Sequence, residues 1–146
     1  MAGKILGPGL ALLLVAGSPV PATVNGLWQT ETHHGKVRIA PCGPSECGVL
    51  VTSDKLATQP DLTDQRNPNR ALRGRRLVGL TMLYGFHRVA NGWAGGTIYN
   101  PDDGNSYYAR MSLIDADHLR VRGCVVFPLC KSQIWVRVPG TASREP

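Results

Sequence analysis

Long apolar runs are what this sequence most lacks. The longest, Leu10 to Val15 (LALLLV), falls far short of the ~20 residues that carry a helix across a bilayer, and nothing later approaches it, which argues against a helical membrane span. Aromatic side chains make up only 6% of the chain, and no acidic or Gln/Asn-rich tract interrupts it, so disorder is not the expectation. Also missing are a Gly-rich phosphate loop, a nucleophile elbow and a zinc-protease helix motif. Asp102-Asp103-Gly104 lacks the alternating oxygen ligands and terminal Glu of a calcium loop and reads as a turn. His33 and His34 fall in a hairpin turn, and His87 and His118 near strand ends, none with an obvious carboxylate or nucleophile partner in sequence. No catalytic residues, cofactor or metal site are therefore expected, and an enzyme ranks third among the readings.

What is present begins with an export signal. Lys4 gives a positive start, Leu10 to Val15 an apolar centre, and Val20-Pro21-Ala22 a small-residue cleavage site, so residues 1–22 read as a cleaved signal peptide and 23–146 as one domain. A core strand or helix there is disfavoured by Pro8, Pro19 and Pro21. Cleavage removes only Lys4 of the 16 Lys and Arg and none of the 10 Asp and Glu, leaving a moderately basic domain. Export argues against nucleic acid as a partner and for a periplasmic or secreted location. The first cysteine, Cys42, is too distant from the apolar run for lipid attachment. Cys42/Cys47 and Cys124/Cys130 form two close pairs in a chain bound for an oxidising compartment, so disulfides are expected. Three pairings are possible; the local one asks least of the fold, while bridges between the pairs would clip distant strands. A four-thiolate zinc site fits neither spacing nor compartment.

Gly, Pro, Asn and Asp break the remainder into eight segments rich in β-branched and aromatic residues: 26–32, 36–41, 47–53, 79–87, 92–99, 106–114, 118–123 and 132–138. Period-2 alternation marks several as half-buried strands. Val37 and Ile39 alternate with Lys36 and Arg38. Leu80, Met82, Tyr84 and Phe86 share one face, as do Tyr107, Ala109, Met111 and Leu113, and Leu119 and Val121 oppose Arg120 and Arg122. Trp93 and Ile98 have opposite parity across Gly95-Gly96, where a β-bulge would return both to the core. Short turns between most segments imply antiparallel hairpins. The exception is the connection from Asp54 to Val78, a lid or plug candidate, in which residues 68–73 could form one helical turn with Asn67 as cap and Pro68 at its first position. Eight hairpin-linked strands remove every edge by closing into an up-and-down barrel; a two-sheet sandwich is the other option.

The 23–146 region closely resembles the bacterial exported family known as domain of unknown function 2147. The resemblance rests on GLWQT (26–30), KVRIAPCG (36–43) with Cys47-Gly48, ALRGRRLVGL (71–80), GWAGGTIYNPDDG (92–104), LRVRGC (119–124) and SQIWVRV (132–138). The chain departs from the family at Arg76, where Pro is common, at Ala94, and at Asn105-Ser106. The resemblance implies a lipocalin-like fold and no established activity. Gly26-x-Trp28 is similar to the opening motif of lipocalins, in which the Trp closes the barrel base under an Arg from the last strand, a role open here to Arg137 or Arg122.

The leading expectation is a binding protein for a small hydrophobic ligand of acyl-chain type, with an interior lined by Trp28, Val37, Ile39, Leu80, Met82, Tyr84, Phe86, Tyr107, Met111 and Trp135 and with Arg122 and Arg137 as polar anchors. The alternative is a solidly packed barrel that acts through the densest basic stretch, Arg66, Arg70, Arg73, Arg75 and Arg76, on an anionic envelope component.

Overall fold

A computed structural model describes residues 23–140, with residues 3 and 12–14. The expected signal peptide at 1–22 otherwise lies outside the described residues, as do 141–146. Eight antiparallel strands close into a barrel in which each strand pairs with the next and the last with the first. They are β1 (Gly26–Gln29), β2 (Lys36–Cys42), β3 (Ser45–Thr52), β4 (Thr81–Val89), β5 (Gly92–Asn100), β6 (Asn105–Leu113), β7 (His118–Val126) and β8 (Leu129–Arg137). The order is that of an up-and-down meander, and closure leaves no sheet edge unpaired. Between β3 and β4 lie a short helix α1 (Asp54–Thr58) and a 3₁₀ turn (Arg70–Leu72).

Alternation sends one face of each strand into the core. Val37 and Ile39 of β2, Ala109 and Met111 of β6, and Leu119 and Val121 of β7 are all buried, while Arg38, Arg110, Arg120 and Arg122 face outward. The Gly95-Gly96 bulge is real: the β5–β6 register shifts between Trp93 and Gly96, which buries Trp93 and turns Ile98 inward as well. Gly96 has a second duty, because the Phe86 ring occupies the space that a Cβ at 96 would need.

Strand β4 departs from the expected alternation. Its register with β3 steps from Val49↔Thr81 to Gly48↔Leu83, so Met82 is the extra residue of a bulge, and Gly85 then adopts a left-handed φ of 76°. Leu83 and Phe86 become the fully buried pair and Tyr84 is turned outward, 43% exposed. Tyr84 therefore leaves the interior set. The helical turn also differs: Asn69, not Asn67, caps it by accepting a hydrogen bond from the Ala71 N–H, and it spans Arg70–Leu72. The earlier helix, α1, is capped by Ser53, whose hydroxyl accepts from the Leu56 N–H at 3.3 Å.

Both disulfides take the local pairing. Cys42–Cys47 staples the β2–β3 hairpin at one end of the barrel, and Cys124–Cys130 staples the β7–β8 hairpin at the other. Loops this small stabilise by about 2 kcal/mol each through the unfolded chain.

Replacement of Gly96 by Ala forces a methyl into the Phe86 ring and should destabilise the barrel by about 1–3 kcal/mol in chemical denaturation. Gly74→Ala, where a Cβ meets nothing, should leave the midpoint within about 0.5 kcal/mol of wild type.

Candidate functional site

The two ends of the barrel are built differently. At the end formed by the β2–β3, β4–β5 and β6–β7 turns, large side chains fill the interior. Trp28 is fully buried, donates its indole N–H to the Val24 carbonyl at 2.7 Å, and lies 4.1 Å beneath the Arg137 guanidinium. Arg137 in turn donates to the carbonyls of Thr23, Asn25 and Ala116, tying the approach to β1 and the β6–β7 turn to the last strand. Burial of that guanidinium lowers its pKa, and the nearby Asp117 charge acts the other way. Arg137 is thus the arginine that covers Trp28. Arg122, the other candidate, is exposed on the outer face of β7 between Arg110 and Ser132, because its position in the alternation is opposite to that of Val121. It anchors nothing inside the barrel.

At the opposite end the inward side chains do not meet. A cavity of about 800 Å³ opens between the β1–β2 turn, the long β3–β4 connection, the β5–β6 loop and the β7–β8 hairpin. Its strand walls carry Leu50, Met82, Ile98, Val121 and Trp135, and its third side is the long connection itself, through Leu56, Leu62 and Leu77. Small residues make the room: Gly35 and Gly123 stand where larger side chains would project inward. Polar groups of the wall near the mouth are already satisfied, since the Trp135 indole donates to Gln133 Oε1 at 2.9 Å and Gln133 Nε2 donates to Thr32 in the β1–β2 turn at 3.3 Å. Charge appears only at the rim. His33 lies 3.4 Å from Asp102, Tyr107 donates its hydroxyl to Asp103, and Lys55 and Lys131 have no acidic partner among the described residues. The bond to Asp103 raises the Tyr107 pKa.

Of the residues expected to line the interior, Met82, Tyr107 and Trp135 reach the cavity. Trp28, Val37, Ile39, Phe86 and Met111 are buried, but in the packed core beyond it, and Leu80 is buried at the end of the long connection, its backbone bonded to Leu50 and Leu77, off the cavity wall. Leu50, Leu56, Ile98, Tyr99 and Val121 line the cavity without having been among the residues expected to line the interior, although the alternation had already set Ile98 in the core and Val121 on the face opposite Arg122. Alternation on β3 would have found Leu50; Leu56 sits in a five-residue helix without a readable period.

The long connection is held by a buried carboxylate. Asp64 is 1% exposed and accepts from the Tyr99 hydroxyl at 2.6 Å, from Asn67 Nδ2 at 2.8 Å and from Arg75, whose guanidinium lies 2.9 Å away and 5.5 Å from the Tyr99 ring centre. Burial alone would raise the Asp64 pKa, but the three hydrogen bonds and the Arg75 charge overcome it and hold the carboxyl below its ordinary value. Tyr99 is shifted upward by its own burial and by the Asp64 bond. The other arginines of the basic stretch are also engaged. Arg73 donates to the Asn67 carbonyl, Arg76 pairs with Asp61 and the Pro60 carbonyl, and Arg66 donates to the Asp102 carbonyl on the β5–β6 loop. Only Arg70 of the five lacks such a bond among the described residues.

Residues 26–137 match a family described as an uncharacterized protein conserved in bacteria, DUF2147. The chain belongs to this family. No curated protein matches it significantly. Among solved structures it is similar to protein HP1028 from Helicobacter pylori, described as belonging to the lipocalin family, at 21% identity and a TM-score of 0.74, over 82% of this chain and 85% of that one. At that identity the likeness speaks for the fold: a closed, lipocalin-like barrel.

Asp64→Asn should free the long connection while leaving the barrel closed. Expected are a loss of about 1–3 kcal/mol, since half-exposed Arg75 can turn to water, and faster amide exchange confined to residues 54–79. Because the folded-state pKa of Asp64 is depressed, its stabilisation is complete above the ordinary carboxylate value of ~4 and is lost as pH falls through the lower, folded value. Acid titration of amide exchange should thus show the connection loosening below about pH 4 in wild type, with that step absent in Asp64→Asn.

Proposed function

We propose that this protein is an exported, non-catalytic binding protein for a small hydrophobic ligand with an acyl chain or similar apolar body. The observation that carries the reading is the apolar cavity of about 800 Å³ at one end of a barrel whose other end is sealed by Trp28 and Arg137. Its size falls within the ~300–1,000 Å³ of typical small-molecule sites, and its walls are apolar with polar groups gathered at the rim. Met82, Tyr107 and Trp135 are the wall residues proposed to touch the ligand, joined by Leu50, Ile98 and Val121. Trp28, Val37, Ile39, Phe86 and Met111 serve as the floor. Two disulfides support an oxidising location, which with the leader-like sequence at 1–22 argues for the periplasm or the exterior.

The second reading, in which Arg66, Arg70, Arg73, Arg75 and Arg76 dock an anionic envelope component, is weaker because four of the five guanidiniums are spent on the connection and its neighbouring loop.

Native mass spectrometry of protein recovered from an oxidising compartment should reveal a discrete bound small molecule. A fluorescent apolar probe such as anilinonaphthalene sulfonate should be displaced by long-chain fatty acids. In Gly123→Trp, whose indole would project into the cavity, probe affinity should fall about tenfold or more with the barrel still folded. A clean apo mass together with probe binding indifferent to Gly123→Trp would remove the ligand reading.

A further inference from the structure

The β7–β8 hairpin ends in a group of apolar side chains turned to solvent. Val125, Val126, Phe127 and Leu129 are 66%, 60%, 80% and 67% exposed, and Tyr108, across from Cys124 on the adjoining strand, is 76% exposed. Within residues 23–140 every other exposed large hydrophobic side chain stays below half exposure, the highest being Ile114 at 48%. The exposure is therefore concentrated at one tip, and a contiguous apolar patch marks a contact surface where scattered ones do not. The tip is held in shape at its root by Cys124–Cys130 and stands at the cavity mouth, which Val125 and Leu129 help to line.

A second observation names the partner. Directly behind the tip on the outer face, Arg110 and Arg122 are cross-strand partners, and one step closer to the tip Lys131, opposite Gly123, stands on the cavity rim. Like charges placed opposite each other on a sheet repel. No acidic side chain pairs with Arg110, Arg120, Arg122 or Lys131 among the described residues; the rim acids Asp102 and Asp103 are engaged by His33 and Tyr107. An apolar, aromatic tip backed by unpaired cations matches the layering of an anionic bilayer surface, where apolar groups enter the acyl boundary and Arg and Lys meet the headgroups. A second copy of the chain fits less well. One hairpin tip offers far less than the ~800 Å² per partner of a stable interface, and a symmetric pair would bring the arginines of both copies together.

We propose that the open end of the barrel docks on an anionic lipid membrane, with Val126, Phe127 and Leu129 inserted and Arg110, Arg122 and Lys131 on the headgroups. Docked in this way, the cavity mouth faces the bilayer, so an apolar ligand passes between membrane and barrel with little exposure to water. The docking stands on its own; only the passage of a ligand rests on the carrier reading above.

The test is flotation with vesicles of phosphatidylglycerol and phosphatidylethanolamine, using the protein in the form that accumulates in the oxidising compartment. Binding is expected on these vesicles, weak on pure phosphatidylcholine, and reduced by salt. The pair Val126→Asp/Phe127→Asp should abolish it with thermal stability unchanged, and Arg110→Gln/Arg122→Gln should weaken it on the order of tenfold or more. In Phe127→Trp the new indole emission should shift to the blue when vesicles are added. Gly123→Trp, with its cavity blocked, should still float, which separates a failure of docking from a failure of ligand binding. Absence of flotation, flotation unchanged by the tip variants, or a dimer that dissociates on Phe127→Asp without any vesicle binding would each overturn the proposal.

Discussion

Closure of the barrel hangs on its shortest seam. β1 contributes four residues, and only Trp28 and Gln29 pair with β8. So few ladder bonds would leave an edge prone to fraying, and the seam is reinforced by side chains. Arg137 lies on Trp28 from the facing strand and also binds the carbonyls of Thr23 and Asn25, so the chain entering β1 is held to the end of β8 even where no ladder exists. A guanidinium suits the position because its planar fork can stack on the indole and still donate in several directions, which a lysine could not do. With that seam shut, the other strands are all joined by connections to their sequence neighbours, and the rest of the fold follows from alternation.

The open end has a different logic. The connection between β3 and β4 runs from residue 53 to 80 with little regular structure, and a segment of that length needs its polar backbone and side chains satisfied if it is to pack against a barrel. Asp64 does this with one buried carboxylate that gathers Asn67, Arg75 and Tyr99. Most of the basic stretch that stands out in the sequence is thereby explained as internal bracing: Arg73, Arg75, Arg76 and Arg66 each hold part of the connection or its neighbouring loop. Charge density along a sequence does not by itself mark a docking surface, because a guanidinium can be consumed within its own loop.

Much of the fold was legible because local signals agreed. All eight strands were visible in composition and turn residues, and on β2, β6 and β7 alternation placed the core residues correctly. The Gly95-Gly96 bulge was legible too, since two large apolar residues of opposite parity flanked a glycine pair. β4 misled at Tyr84 because Met82 and Gly85 each break the alternation: the first irregularity turns Leu83 inward and Tyr84 outward, and the second restores Phe86 to the expected face. Asn67 looked like a helix cap from its place before a proline; tertiary packing turned it inward to Asp64 instead. Asp64 itself was invisible, as its partners stand 3, 11 and 35 residues away and a lone aspartate in a loop rich in Asn, Asp and Pro reads as turn chemistry.

The cavity, by contrast, is written into side-chain size along the barrel axis. Toward the sealed end the inward positions hold Trp28, Ile39, Phe86, Trp93 and Met111; around the cavity large side chains such as Met82, Ile98 and Trp135 remain, but Thr30, Gly35 and Gly123 stand among them. An eight-stranded barrel is just wide enough for its side chains to fill it, so small residues at these positions leave space at one end and none at the other. The two flanks of that space then differ in how they are held. On one side the Asp64 cluster latches the long connection to Tyr99; on the other, the β7–β8 hairpin is secured at its root by a disulfide and extends its tip into solvent without a protein partner among the described residues. The latched side is built to stay in place, because moving it would uncover a buried carboxylate and its arginine. Whatever enters the cavity therefore meets least resistance past the hairpin, where the exposed surface is already apolar.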